Sequence, residues 1–554
     1  MEIKCKRDLK SLWFVLSIEG LLTLLLVLNT YLFIELKETL NLIFLIVFGL
    51  LFLSILIYVI SVLSIKKIPL IIKDDFLTIY KGNKEIEIEY KDIFFVTSSL
   101  ANESSYINGG NIKLFLKNGK IINIKRIQFC FKIAEIILLK TGNDDYYYVP
   151  ENKFKKFFIR IYQYIFAFIS HFVLFKHSKE LGSLEEIATK YKENNKKKVF
   201  IALTNHFRKS DEIVPLLNKL KELNIDYFLY VISIKNPTKD DCLIAKKAYL
   251  DNNCDSLLAI GGGSIIDLTK ALGILITNKK EIEHYKGLFK VRKNIPFFIA
   301  IPTTCGTGSE TTMVSVITSN EKKYAIDSNK ITPSYTYLGS DFIKDLPPQM
   351  VAETAMDALT HALEGYLNVP GFKKYDEIAL EAIFMIFENI IPAYNNDEIA
   401  KTKLLKASYL AGKVFNSKYV GNVHALSHAL SATYDLAHGK TNAIILPFVL
   451  ETYLFDKKCN KKMLELSIKL KLTSNNKDKE GGKKFVDYIK NLLKELNIPS
   501  SIKEIKLEDL EKLSKHAYKE AVPAYPTPVI YSLSEFYAMY INLKEKNNEK
   551  RRTK

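Results

Sequence analysis

The chain has 554 residues, 48% of them hydrophobic and 25% charged, with a formal charge of +18 from 79 Lys+Arg against 61 Asp+Glu. That length exceeds what one core holds at about 150 residues per domain, and six cysteines without a C-x-x-C pair exclude a disulfide scaffold and point to a reducing compartment. The charge comes with no zinc-finger spacing, RNP-like aromatic pair or recognition-helix signature, so no nucleic acid is expected; scattered lysines read as a compositional habit or as contacts to an anionic lipid surface.

Two apolar runs, 12–34 and 40–65, are each long enough at about 1.5 Å per residue to cross a ~30 Å hydrocarbon core. Lys4, Lys6, Arg7 and Lys10 precede the first and Lys66, Lys67 and Lys73 follow the second, whereas the connector 35–39 holds one lysine and two glutamates. This asymmetry predicts a two-helix transmembrane hairpin over 1–67 and a membrane localisation, with both ends and the catalytic portion cytoplasmic. The missing small-residue cleavage site and the immediate second run argue against a signal peptide.

From 68 to 145 short alternating segments recur, at 76–80, 86–90, 112–116 and 121–124, with turns at Lys81-Gly-Asn and Lys117-Asn-Gly-Lys. They predict a small antiparallel sheet. A helically spaced piece at 131–139 closes a unit that resembles, in pattern alone, a pleckstrin-homology-like module. An amphipathic linker over 146–180 includes the aromatic stretch 157–175; its interior Arg160, Gln163, Ser170 and His171 favour a helix at an interface or on the enzyme body over a third span.

Continuous apolar runs at 199–203, 228–232 and 257–260 have the composition of buried parallel strands, and their spacing leaves room for crossover helices. An α/β domain with a parallel sheet is therefore expected over 181–345. Directly after the third run stands Gly261-Gly262-Gly263-Ser264-Ile-Ile-Asp267, where residues without side chains let backbone N–H groups approach a pyrophosphate at a helix N-terminus. A second loop, Ile301-Pro-Thr303-Thr304-Cys305-Gly-Thr307-Gly-Ser309-Glu310, follows the apolar run at 297–300.

Beyond about residue 350 the pattern turns helical, predicting an all-α metal-binding domain over 346–545 and a basic tail over 546–554. Asp357-Ala-Leu-Thr-His361 puts a carboxylate and an imidazole at i and i+4 of one helix face, and His424-Ala-Leu-Ser-His428 repeats that spacing before His438-Gly-Lys-Thr-Asn442. Asp and His side chains make a mixed O/N donor set suited to a divalent first-row metal. Spacing alone does not rank His428 below His424 as a ligand.

The G-G-G-S-x-x-D and P-T-T-x-G-T-G-S-E signatures, standing here in order, resemble the iron-containing (group III) alcohol dehydrogenase family, as does D-x-x-x-H followed by H-x-x-x-H-x(9)-H-G. The resemblance covers about 181–543. It implies an oxidoreductase passing hydride between a small alcohol or aldehyde and NAD or NADP, which the apolar hairpin over 1–67 would anchor to a membrane. It implies metal ligands at Asp357, His361, His424 and His438, with His428 left to contact substrate or relay a proton. Glu364 reads either as a partner of a ligand or as a solvated helix glutamate. The resemblance implies cofactor contacts at Asn205, Gly261, Gly262, Gly263, Ser264, Asp267, Thr303, Thr304, Thr307 and Ser309. Fe²⁺ is the implied metal, although the ligand types also accept Zn²⁺, and a homo-oligomer is compatible with the family.

Five positions depart from the family pattern. Asn205 stands where many members carry an Asp that bonds the ribose and repels a 2′-phosphate, which leaves NAD against NADP open. Ala355 replaces a glycine, Gly339-Ser340 replaces Asp-Pro, and Cys305 replaces a small residue. The rival readings are an enzyme of dehydroquinate synthase or glycerol-1-phosphate dehydrogenase type, or an inactive enzyme fold used as a membrane-bound binding or sensor module.

Overall fold

A computed structural model describes residues 3–5, 69–81, 84–100, 109–116, 121–128, 133, 136, 137, 140, 159–165 and 176–544, the last range without 235, 320, 321, 370, 476, 477 and 479. The chain divides into two compact units, residues 1–151 with 531–542, and residues 152–530 with 543–554.

In the first unit the alternation at 68–145 does form antiparallel strands. Ile3–Cys5, Leu70–Ile72, Phe76–Lys81 and Lys84–Glu89 make one sheet, and Ile93–Leu100, Gly109–Leu116 and Ile121–Gln128 make another. The period of two sends Leu70, Ile72, Leu77, Ile79, Ile112, Leu114, Ile122 and Ile124 into one core. The strand Ile3–Cys5 was not foreseen; it pairs with Ile72 opposite Ile3. The likeness to a pleckstrin-homology-like module gains nothing further from these two sheets.

The expected membrane localisation is corrected. Among the described residues no helix is long and apolar enough to cross a membrane, and the runs 12–34 and 40–65 lie outside the described residues. Run length and flanking charge carried that expectation, and length alone meets the criterion for a span without placing the run in a bilayer. Within the stretch 157–175, residues 159–165 are helical and rest on the second unit's own backbone. Arg160 donates to the carbonyls of Thr527 and Pro528, and Gln163 donates to those of Val522 and Tyr525.

The second unit holds a six-stranded parallel sheet in the order Asp226–Val231, Lys198–Leu203, Ser256–Gly261, Phe297–Pro302, Tyr335–Tyr337, Lys179–Leu181. Its central strands are buried on both faces, which is why they read as unbroken apolar runs rather than as alternation. The chain runs outward from Lys198–Leu203 to Asp226–Val231, then returns to Ser256–Gly261 on the other side. A doubly wound sheet opens its ligand crevice at such a reversal, beyond the carboxyl ends of the two flanking strands. Asn205 and the Gly261–Gly263 turn stand at those two ends.

Helices follow the sheet. Pro348–Leu367 begins with proline inside its first turn, where a missing N–H costs nothing. Lys373–Tyr394 and Glu398–Lys418 pack beside it, and Asn422–Tyr434, His438–Tyr453 and Leu510–Ala524 complete the surroundings of the site. The parallel α/β domain and the all-helical domain expected from the sequence are both present.

Candidate metal and cofactor site

Helical spacing does most of the assembly. Asp357 and His361 face inward from Pro348–Leu367, and His424 and His428 do so from Asn422–Tyr434. That second helix ends at Asp435, which adopts the left-handed conformation at φ 51°, tolerable for a short polar side chain. The reversal lets His438, first residue of the next helix, turn back toward the other two.

One donor atom each from Asp357, His361 and His424 lies within 4.8 Å of the others, all three residues being buried. Nε2 of His438 is 3.7 Å from Oδ1 of Asp357. The His361 and His424 rings stack at 4.5 Å, those of His428 and His438 at 5.1 Å. Burial depresses His361 to about 4 and His424 well below its ordinary value, so both rings are neutral and hold a lone pair for coordination. Burial pushes the Asp357 carboxyl upward, with His361 and Asn442 opposing.

Two residues organise these donors. Oε2 of Glu364 lies 2.6 Å from Nδ1 of His424, and its carboxylate also accepts the backbone N–H groups of Gly421 and Val423, each at 2.7 Å. A proton on Nδ1 leaves Nε2 as the free nitrogen, the arrangement that orients metal-binding histidines. Gly421 is required here, because a Cβ would stand 2.7 Å from Oε1 of Glu364. Burial pushes Glu364 upward, and the donors at Val423, Gly421 and His424 pull it back toward the carboxylate that accepts from them.

The second is Asn442, one turn beyond His438. Its Nδ2 lies 2.7 Å from Oδ1 of Asp357 and 3.1 Å from Nε2 of both His424 and His438. Three acceptors converging on one donor nitrogen show that these lone pairs point to a common region. Nδ1 of His361 has no hydrogen-bond partner, so no protein donor competes for it. One carboxylate and neutral imidazoles aimed this way fit a divalent first-row cation.

The cofactor loops differ from the sequence expectation in how they use their side chains. Cβ atoms on Gly262 and Gly263 would stand 3.1 and 2.9 Å from the side chains of Thr304 and Thr307, so the glycines admit the second loop as closely as any ligand. Asp267 accepts from Ser309 Oγ at 2.6 Å and from the Val316 N–H at 3.0 Å, and Thr307 Oγ1 accepts from the Ser309 N–H. Asp267, Thr307 and Ser309 therefore bond within the loops. Thr303 donates its N–H to Gly261, Thr304 Oγ1 is buried without a partner, and Ser264 lies in the first turn of Gly263–Thr277. Asn205 is exposed at the start of the short helix Asn205–Arg208. Cys305 is fully buried and its thiol pushed up to about 12, which makes it an inert packing residue.

Sequence reasoning missed Lys270. Fully buried, its ammonium donates toward five acceptors at the end of the second loop and just beyond it: the carbonyls of Ser309, Thr312 and Val314 at 2.7, 2.9 and 2.7 Å, and the hydroxyls of Ser309 and Thr312 at 3.0 and 3.3 Å. Burial lowers it to about 8 while Asp267, Glu310 and Asp327 hold its charge. Its position three residues after Asp267 was the available signal, masked by the apolar helix around it. The loop continues onto the metal helices: a Cβ on Gly306 would stand 2.7 Å from Thr354, one turn before Asp357, and Met313 donates its N–H to Asn416 at 2.9 Å. Cofactor loop and metal donors thus adjoin.

A model described as iron-containing alcohol dehydrogenase matches residues 176–339, and one described as the Fe-containing alcohol dehydrogenase family, C-terminal, matches residues 351–540. The chain is 34% identical over 346 residues to alcohol dehydrogenase 4 of Saccharomyces cerevisiae, covering 61% of this chain and 89% of that protein. It is 31% identical over 344 residues to an NADPH-dependent butanol dehydrogenase of Clostridium saccharobutylicum, covering 60% and 86%. Among solved structures, a 1,3-propanediol oxidoreductase superposes with a TM-score of 0.62 at 26% identity, covering 66% of this chain and 97% of that one. With the two family models matched in order over 176–339 and 351–540, the chain belongs to the iron-containing alcohol dehydrogenase family, whose members are NAD(P)-dependent oxidoreductases.

Proposed function

We propose that this chain interconverts a small primary alcohol and its aldehyde with NAD(P), using Asp357, His361, His424 and His438 as metal ligands. The observation that carries the reading is the buried, convergent Asp357/His361/His424 donor set beside the 303–310 loop. When bound, a divalent metal supplies Lewis acidity toward the alcohol or carbonyl oxygen, and the nicotinamide supplies the hydride acceptor or donor. The chain's own residues do the rest. Glu364 orients His424, Asn442 holds the Asp357 carboxylate, and the 261–264 turn at the start of Gly263–Thr277 presents backbone N–H groups to a pyrophosphate, with the 303–309 loop packed beside it. His428, one turn beyond His424, is the group placed to contact substrate and pass its proton.

A relative named as a butanol dehydrogenase supports a small alcohol as substrate. Asn205 at the ribose end lacks the carboxylate that would repel a 2′-phosphate, which supports use of NADPH as well as NADH. The deciding test is anaerobically metallated protein assayed with NADH and NADPH over a panel of aldehydes. Turnover that needs added Fe²⁺ or Zn²⁺ supports the reading; equal turnover after chelation refutes it.

A further inference from the structure

His428 is held from outside the family's metal motif. Its Nδ1 lies 2.5 Å from Oε1 of Glu520, a residue 92 positions further on, in the helix Leu510–Ala524. The Tyr525 hydroxyl donates to the same Oε1 at 2.5 Å, and Nε2 of His516 lies 3.9 Å from Oε2. On its other side the His428 ring stacks against His438 at 19° and meets His424 edge-on at 71°.

We infer that Glu520, braced by Tyr525, is a positioning residue that fixes the tautomer and ring angle of His428, so that Nε2 is the nitrogen presented to substrate. This rests on the reading of His428 as the substrate-contacting group. A free imidazole has two tautomers and can flip about its Cβ–Cγ bond, whereas an acceptor at Nδ1 keeps a proton there and leaves Nε2 as the nitrogen that takes up or gives up the other. Two donors meeting one oxygen call for a carboxylate. Burial raises Glu520, but His428 and the Tyr525 hydroxyl outweigh it and hold the group below its ordinary value. Burial likewise keeps Tyr525 protonated, a donor throughout. The stacked His438 ring adds a second constraint, on the plane of the His428 ring.

The test uses the full-length, metal-loaded enzyme and compares His428→Ala, Glu520→Ala, Glu520→Gln, Tyr525→Phe and the Glu520→Ala/His428→Ala double variant. Glu520→Ala is expected to lower kcat by about 10–100-fold, with metal content unchanged and the cofactor KM within about twofold. Glu520→Gln, which keeps an acceptor oxygen, should fall between it and the parent, and Tyr525→Phe should lower kcat by less. The double variant should be no slower than His428→Ala alone. An unchanged kcat in Glu520→Ala beside a slow His428→Ala overturns the inference and leaves the reading of His428 standing. So does a Glu520→Ala loss that persists undiminished in the His428→Ala background. A His428→Ala enzyme with parental kcat overturns that reading and the inference with it. Should Glu520→Ala fail to fold, Glu520→Gln and Tyr525→Phe decide: parental kcat in both overturns the inference.

Discussion

The metal-binding and cofactor-binding halves use their side chains in opposite ways. In the helical half, Asp357/His361, His424/His428 and His438/Asn442 are three i, i+4 pairs; five of these residues bring polar atoms to one cluster, and the sixth, His428, lays its ring against it. A helix turns residue identity directly into position. In the sheet half, Asp267, Ser309 and Thr307 bond one another, and the glycines face threonine side chains. There the side chains set the shape of two loops whose backbone is what a pyrophosphate would meet. A motif on a helix therefore marks side chains that converge, whereas a motif on a loop marks the residues that hold the loop.

The contrast breaks most sharply at a helix residue. His424→Ala should lose its metal and lower turnover by on the order of a thousandfold, since several kcal/mol of charge stabilisation leave with the ion. His428→Ala should retain metal. Elemental analysis of both proteins is the check, and full occupancy in His424→Ala would reassign the ligands.

On the loop side, Lys270→Met should act through stability. It strands buried carbonyls of Ser309, Thr312 and Val314 and leaves Asp267 without its buried cation, costing about 3 kcal/mol or more. Thermal unfolding should show a lowered Tm, and the cofactor KM should rise while metal binding survives. A variant with parental Tm and KM would remove Lys270 from the account of the loop.

Glu364→Gln tests the support beneath a ligand. With the bond to Nδ1 of His424 weakened, metal affinity should fall by about 10–100-fold, and kcat at saturating metal should change little. Competition against a chelator of known affinity measures this. The smallest expected effect is at Asn205→Asp. A carboxylate there should raise the NADH/NADPH ratio of kcat/KM by about tenfold through repulsion of the 2′-phosphate. An unchanged ratio would place Asn205 away from the ribose.

The buried strands were legible because burial on both faces leaves unbroken runs such as Phe297–Pro302. The donor cluster was legible because its spacing is that of the helix. Tyr335–Tyr337 and Lys179–Leu181 were not, since three residues with partly exposed side chains carry no period, and their pairing comes only from the sheet beside them. Glu520 could not be read at all: nothing local ties a helix glutamate to an imidazole 92 residues earlier. Asn442 stood inside a quoted motif, and only the geometry gave it a task.

The last strand of the sheet, Lys179–Leu181, bears on how the enzyme can be excised. It covers the edge at Tyr335–Tyr337, and the segment leading into it is fastened to Glu398–Lys418: Tyr409 donates to the Ser178 carbonyl, Lys406 pairs with Glu180, and Asn416 and Ser417 contact His177. A fragment trimmed to the start of the cofactor-binding motifs would expose three unpaired residues of strand and a flat edge open to a second chain. Since Arg160 and Gln163 also clasp 522–528, the sound place to cut is upstream of residue 159, and the short leader kept in this way belongs to the catalytic body as much as any helix does.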